Sequence, residues 1–182
     1  APVFYIGCNL ADCSHPGTPA APASYATTGS ANGLCLDGDR VLVAAGSEGL
    51  GLFSRSADGS LSPLGSRATS QAQAVAAAGD YALIADGTAG FKMIDLAAAG
   101  YPVAGSLATS WAYGVDLLGD YAYVADDEYG LRVVNASNPA APLEVGSCDT
   151  PGVPWDVAVA GSYAYVADDE GGLRVVDVSN PA

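Results

Sequence analysis

Two acidic triplets, Asp126-Asp127-Glu128 and Asp168-Asp169-Glu170, are the residues whose types and spacing come closest to a chemical site. Clustered carboxylates at a turn can hold Ca2+, which takes about six to eight oxygen ligands. The spacing is not that of a known calcium loop. The turns at the corresponding place, Asp86-Gly87-Thr88 and Ala45-Gly46-Ser47, keep little of the charge. The triplets therefore read either as a Ca2+ site made of Asp126, Asp127, Glu128, Asp168, Asp169 and Glu170, or as solvated hairpin turns. Lys92, Arg132 and Arg174 share one place in the pattern, and a cross-strand ion pair such as Asp126 with Arg132 is the natural use for them. At an exposed site such a pair contributes only ~0.2–1 kcal/mol. Asp95, Asn135 and Asp177 end the same run and are suited to accept hydrogen bonds from the backbone of the following turn.

The remaining reactive side chains are few. Cys8 and Cys13 are close enough in sequence to bridge a local turn, whereas Cys35 and Cys148 lie several repeats apart and no pairing between them is assumed. His15, the single histidine, follows Cys13 after one residue, but Cys-x4-Cys-Ser-His is not a haem-attachment motif and offers too few ligands for zinc. Trp111 and Trp155, with Tyr113 nearby, suit packing between sheets, or contact with a partner or carbohydrate at a rim. No Gly-x-Ser-x-Gly, phosphate-cradling glycine loop or metal-binding histidine pair is present, so the chain is not expected to be an enzyme.

The elements that would position these residues follow from an internal repeat. Asp39, Asp80, Asp120 and Ser162 recur at intervals of 41, 40 and 42 residues. One four-stranded propeller blade fits a period of roughly 40–45 residues. Within Trp111 to Ser147 there are four short runs separated by turns: Tyr113–Leu118, Tyr121–Ala125, Leu131–Val134 and Pro142–Val145. Gly119-Asp120 between the first two is a hairpin turn. No apolar stripe of helical period continues for ten residues. Tyr121-Ala122-Tyr123-Val124-Ala125 is apolar on both faces, as in a strand buried from both sides, and Tyr163-Ala164-Tyr165-Val166 is expected to behave alike. At the N-terminus, Val3–Gly7 stands where Tyr121–Ala125 stands, and Thr18–Pro22 where Asn138–Pro142 stands. The expected organisation is one domain: partial repeat 1–38, repeats 39–79, 80–119 and 120–161, and partial repeat 162–182.

The run Tyr-Ala-Tyr-Val-Ala-Asp followed by Gly-Leu-Arg-Val-Val-Asp-Val-Ser-Asn-Pro-Ala, at Tyr163 to Ala182, strongly resembles the LVIVD repeat. Tyr121 to Pro142 is nearly as close, Tyr81 to Asp95 is recognisable, and Arg40 to Ser54 is degenerate. The resemblance implies an all-β fold, a β-propeller with four-stranded blades, of which this chain would fill a partial ring of about four to five. It also implies a secreted or cell-surface protein of bacteria or archaea. It carries a fold and no reaction.

Charge narrows the partners. Six Lys and Arg stand against twenty Asp and Glu, a formal charge of −14. Nucleic acid, which is held by basic surface, is set aside, and docking on anionic lipid is disfavoured by the same sign. No apolar run approaches the ~20 residues of a membrane-spanning helix. The chain begins at Ala1 with no charged-then-apolar leader, as a secreted protein does after signal removal and as an internal fragment also would. The expectation is a non-enzymatic scaffold for protein interaction, adhesion or surface structure, placed outside the cytoplasm, meeting a protein partner or itself through open blade edges. The alternatives are a Ca2+- or small-ligand-binding propeller using the acidic turns and a carbohydrate-active enzyme with an axial carboxylate site.

Overall fold

A computed structural model describes residues 25–27 and 29–181. Its fifteen strands form four antiparallel sheets, each following the chain order. Blade 1 is β1 (Gly33–Asp37), β2 (Arg40–Ala44), β3 (Leu50–Arg55) and β4 (Leu61–Arg67). Blade 2 is β5 (Ala74–Ala78), β6 (Tyr81–Ala85), β7 (Phe91–Asp95) and β8 (Val103–Leu107). Blade 3 is β9 (Ala112–Leu118), β10 (Tyr121–Asp126), β11 (Gly130–Asn135) and β12 (Leu143–Cys148). Blade 4 has three strands, β13 (Pro154–Ala160), β14 (Tyr163–Asp168) and β15 (Gly172–Asp177).

The four runs read in Trp111 to Ser147 are thus the four strands of blade 3. The boundaries at 39, 80, 120 and 162 fall at the turns between the first and second strand of each sheet, so the blades themselves begin one strand earlier. Those turns have two residues, because Asp37 pairs with Arg40 and Leu118 with Tyr121. Each puts a glycine with positive φ first, 57° at Gly38 and 61° at Gly119, which favours the hairpin twist.

The core lies between blades. The face of blade 1 made by Leu42, Ala44, Leu50 and Leu52 packs on Val75, Ala82, Ile84 and Ile94 of blade 2. Leu83, Ala85, Phe91 and Met93 of blade 2 pack on Val115, Ala122, Val124 and Val134 of blade 3. Tyr123, Ala125, Leu131 and Val133 of blade 3 pack on Val157, Ala164 and Val166 of blade 4. Alternate residues of each middle strand thus face opposite neighbours: Ala82 and Ile84 of β6 face blade 1 while Leu83 and Ala85 face blade 3, and Ala122 and Val124 of β10 face blade 2 while Tyr123 and Ala125 face blade 4. Close approach sets one further requirement. A Cβ at Gly105 of β8 would lie 2.3 Å from the Pro139 carbonyl oxygen of blade 3, so only glycine allows the outer strand to back onto the neighbouring turn.

The inner strands β1, β5, β9 and β13 pack successively on one another, while among the described residues β13 and β1 form no comparable contact. In blade 4 the expectation of two-sided burial fails. Ala164, Val166 and Asp168 are buried, but Tyr163, Tyr165 and Ala167 are exposed, because no described residues pack on that side of β14.

Candidate functional site

The acidic turns are divided by the fold. Asp126 ends β10 with its side chain fully buried, whereas Asp127 and Glu128 face solvent. Asp168 ends β14 in the same way, with Asp169 and Glu170 exposed. Asp126 Oδ1 accepts hydrogen bonds from the Ser110 N–H at 3.0 Å, the Ser110 hydroxyl at 2.5 Å and the Trp111 N–H at 3.0 Å. Its Oδ2 meets Arg132 Nη1 at 2.9 Å. Arg132 also donates to the Ala108 carbonyl at 2.9 Å and pairs with Glu144. The six carboxylates considered for Ca2+ therefore do not converge. Among the described residues no group of three or more His, Cys, Asp and Glu is placed to hold a metal ion.

What the carboxylate does is fasten a linker. Residues 108–111 carry the chain from the outer strand of blade 2 to the inner strand of blade 3, and Asp126 satisfies the linker's N–H groups, which would otherwise be lost from water. Asp86 repeats the arrangement one blade earlier, accepting from the Thr69 hydroxyl at 2.6 Å, the Ser70 N–H at 3.0 Å and the Gln71 N–H at 2.7 Å, with Lys92 as its cation. Asp168 makes a thinner version, with the Gly152 N–H at 3.1 Å and Arg174 Nε at 3.4 Å. The ion pair expected between Asp126 and Arg132 is present, but it is buried. The value for exposed pairs therefore does not apply, and breaking a buried pair costs several times more. Strand register puts Ala45 and Gly51 of blade 1 where Asp86 and Lys92 stand, since Val43 pairs with Gly51 as Ile84 pairs with Lys92. Blade 1 lacks both members together.

The fastener has a pH signature. Burial alone would push the Asp86 carboxyl up, but the Lys92 ammonium, the Thr69 hydroxyl and the amides of Ser70 and Gln71 together hold it below its ordinary value of 3.8. A carboxyl depressed by folding contributes stability that is fully present above its unfolded pKa and is lost as pH falls through the folded value. Denaturant unfolding should therefore show stability falling below about pH 4, with a shallower acid limb in Asp86→Asn. An unchanged limb would mean that Asp86 is not held by these partners.

The remaining candidates fall in three places. Asp95, Asn135 and Asp177 do accept from the turns that follow them, with the Ala97 N–H at 2.9 Å, the Ser137 N–H at 3.0 Å and the Ser179 N–H at 2.9 Å. Cys35 and Cys148 are free thiols. Cys8, Cys13 and His15 lie outside the described residues. Tyr113 stands beside both tryptophans, its ring centroid 5.9 Å from that of Trp111 and 4.5 Å from that of Trp155.

Sequence reasoning expected open blade edges but did not single out two surfaces beside and between them. The first is the outer face of blade 4. Tyr165, Leu173 and Val175 are 39%, 70% and 56% exposed, whereas their counterparts Tyr123, Leu131 and Val133 in blade 3 are 1%, 0% and 7% exposed. Among the described residues the outer edge of β15 carries no fourth strand, unlike β3, β7 and β11. The second is a cavity of about 850 Å³ where the four inner strands converge, bordered by Asn32, Gln73, Tyr113, Asp116, Trp155 and Asp156 among others. Asn32, Gln73, Tyr113 and Trp155 occupy one repeat position; only the unusual change from amide to aromatic along that position could have marked it.

Four-stranded meanders arranged around a common axis, with their cores between sheets, define a β-propeller. The profile of the LVIVD repeat matches residues 70–106, 111–150 and 151–182, more than half of the chain, and the protein belongs to the LVIVD-repeat family. Curated protein sequences gave no match. Solved structures resemble the fold at low identity. The computationally designed Ika4 protein superposes with a TM-score of 0.70 at 9% identity over 85% of this chain and 94% of Ika4. A "putative 6-phosphogluconolactonase" from Bacteroides uniformis gives a TM-score of 0.73 at 16% identity, covering 90% of this chain and 57% of that one. BamB from Moraxella catarrhalis gives 0.62 at 14% identity, covering 87% and 50%. The chain thus spans little more than half the length of the two natural proteins.

Proposed function

We propose that this protein is a non-enzymatic scaffold acting outside the cytoplasm, and that it works by protein contact through the open side of blade 4. The observation that carries the reading is the contrast between two nearly identical blades: the face buried in blade 3 is left uncovered in blade 4 by the described residues. Exposed apolar surface with an unpaired strand edge beside it favours association. The occupant is a second copy of the chain. Three times within this protein the same kind of face is covered by another blade of the same repeat, so apolar side chains presented on a β-sheet are the chemistry that it packs against. Two copies related by a twofold axis can set the faces of β14 and β15 against each other, each covering the other's Tyr165, Leu173 and Val175.

The axial carboxylates favour a binding role over hydrolysis. Asp116 Oδ1 accepts the Leu117 N–H at 2.8 Å and Oδ2 the Val159 N–H at 2.6 Å, so that it ties β13 to β9 and is already engaged. The formal charge of −14 supports an extracytoplasmic setting through solubility, and it also opposes self-association until salt screens it.

Light scattering across a concentration series is the test. The parent chain should form a dimer whose population rises with salt, and Leu173→Asp should be monomeric at the same concentrations with a melting temperature changed little, because that side chain is exposed. A parent chain that stays monomeric at high salt, or a Leu173→Asp variant that still dimerises, would count against the reading.

A further inference from the structure

The cavity between the inner strands has a lining that packing does not explain. One of its lining positions is aliphatic in every blade: Leu34, Val75, Val115 and Val157 recur at one site of the repeat. The position two residues earlier is not uniform, and it presents Asn32, Gln73, Tyr113 and Trp155, one from each blade, all on the cavity. The first two form an amide pair, with Asn32 Nδ2 donating to Gln73 Oε1 at 3.3 Å and to the Ala72 carbonyl at 3.0 Å. The last two form an aromatic pair, tilted by 51° with centroids 4.5 Å apart. Trp155 nevertheless stays half exposed. Asp156 adds a carboxylate whose Oδ1 accepts the Val157 N–H at 2.9 Å.

We infer that this axial cavity binds a neutral carbohydrate. A sugar ring presents an apolar face and a rim of hydroxyls. The indole of Trp155 and the ring of Tyr113 match the face, while Asn32, Gln73 and Asp156 supply donors and acceptors for the rim. The volume suits a small ligand. No Lys or Arg lines the cavity, and Asp116 and Asp156 both do, which disfavours phosphorylated or acidic ligands. Because Asp116 is engaged by two backbone amides, the site offers a single carboxylate with free capacity, which suits binding and does not supply the pair that glycoside hydrolysis uses. The inference is independent of self-association, since it rests on residues of all four blades and not on the face of β15.

The experiment is a titration of the 182-residue chain with maltohexaose, cellohexaose, mannohexaose and chitohexaose, followed by tryptophan fluorescence and calorimetry. At least one sugar should bind saturably in the millimolar range or tighter, with affinity reduced about tenfold or more in Trp155→Ala and several-fold in Gln73→Ala. Leu173→Asp should bind as the parent does, which separates this site from the association surface. Absence of saturable binding to all four sugars overturns the inference. So does binding that survives Trp155→Ala unchanged, or saturation by tetramethylammonium in place of any sugar, which would assign the aromatic pair to a cation.

Discussion

Asp126→Ala lowers the unfolding free energy by about 3–5 kcal/mol, the cost of leaving a buried cation without its partner. The loss has two parts. Arg132 keeps its charge in a site where its side chain is 11% exposed, with Glu144, the Ala108 carbonyl and the face of the Tyr129 ring left to hold it. The N–H groups of Ser110 and Trp111 lose their acceptor in a half-buried linker. Removing Arg132 as well, in Asp126→Ala with Arg132→Gly, recreates the pair that blade 1 carries at Ala45 and Gly51. The double variant should cost less than the sum of the two single variants by about 1–2 kcal/mol, a coupling typical of residues in one network. It should not return to the parent value, because the linker amides stay unsatisfied. In blade 1 the linker runs close to the strand end instead: a Cβ at Gly29 would lie 2.1 Å from the Ala45 carbonyl oxygen, so glycine is required there. Urea denaturation of the four proteins of the cycle measures the coupling directly. Additive effects would show that the two charges do not depend on each other.

The second large effect compares two tyrosines in the same local sequence. Tyr123→Ala should cost about 3–5 kcal/mol, as expected for emptying an aromatic side chain from a packed core. Tyr165→Ala should cost about 1 kcal/mol or less in the monomer. Both stand third in Tyr-Ala-Tyr-Val-Ala-Asp on the middle strand of a blade, so helix or strand propensity cannot separate them. Tyr123 packs with Leu131 and Val133 against Val157 and Val166 of blade 4, whereas among the described residues no blade stands beyond the ring of Tyr165. Denaturant midpoints, measured below the concentration at which the chain associates, give the comparison. Equal costs would mean that Tyr165 is covered in solution. A cost at Tyr165 that rises with protein concentration would locate that cover in a second copy.

The two tyrosines also mark the border between what sequence determines and what packing decides. Strand order, the two-residue turns and the propeller class were legible, because alternation, turn glycines and a period near 40 residues are local signals repeated four times. Asp95 and Asn135 were legible for the same reason: an Asp or Asn serves the turn directly after it. Asp126 was only half legible. Its pairing with Arg132 lies on adjacent strands, but its burial and its grip on residues 108–111 come from a linker sixteen residues away. The acidic triplet therefore resembled a cation site until the fold turned its first carboxylate inward and the other two outward. The axial arc of Asn32, Gln73, Tyr113 and Trp155 was illegible, since residues about forty positions apart meet only when the blades close around an axis. Burial of the Tyr-Ala-Tyr-Val-Ala-Asp strand belongs to the same class. The sequence by itself determined that each such segment is a strand apolar on both faces. Only the tertiary structure decided whether a neighbour stands against each face, because desolvation depends on the next blade and not on the strand's own residues.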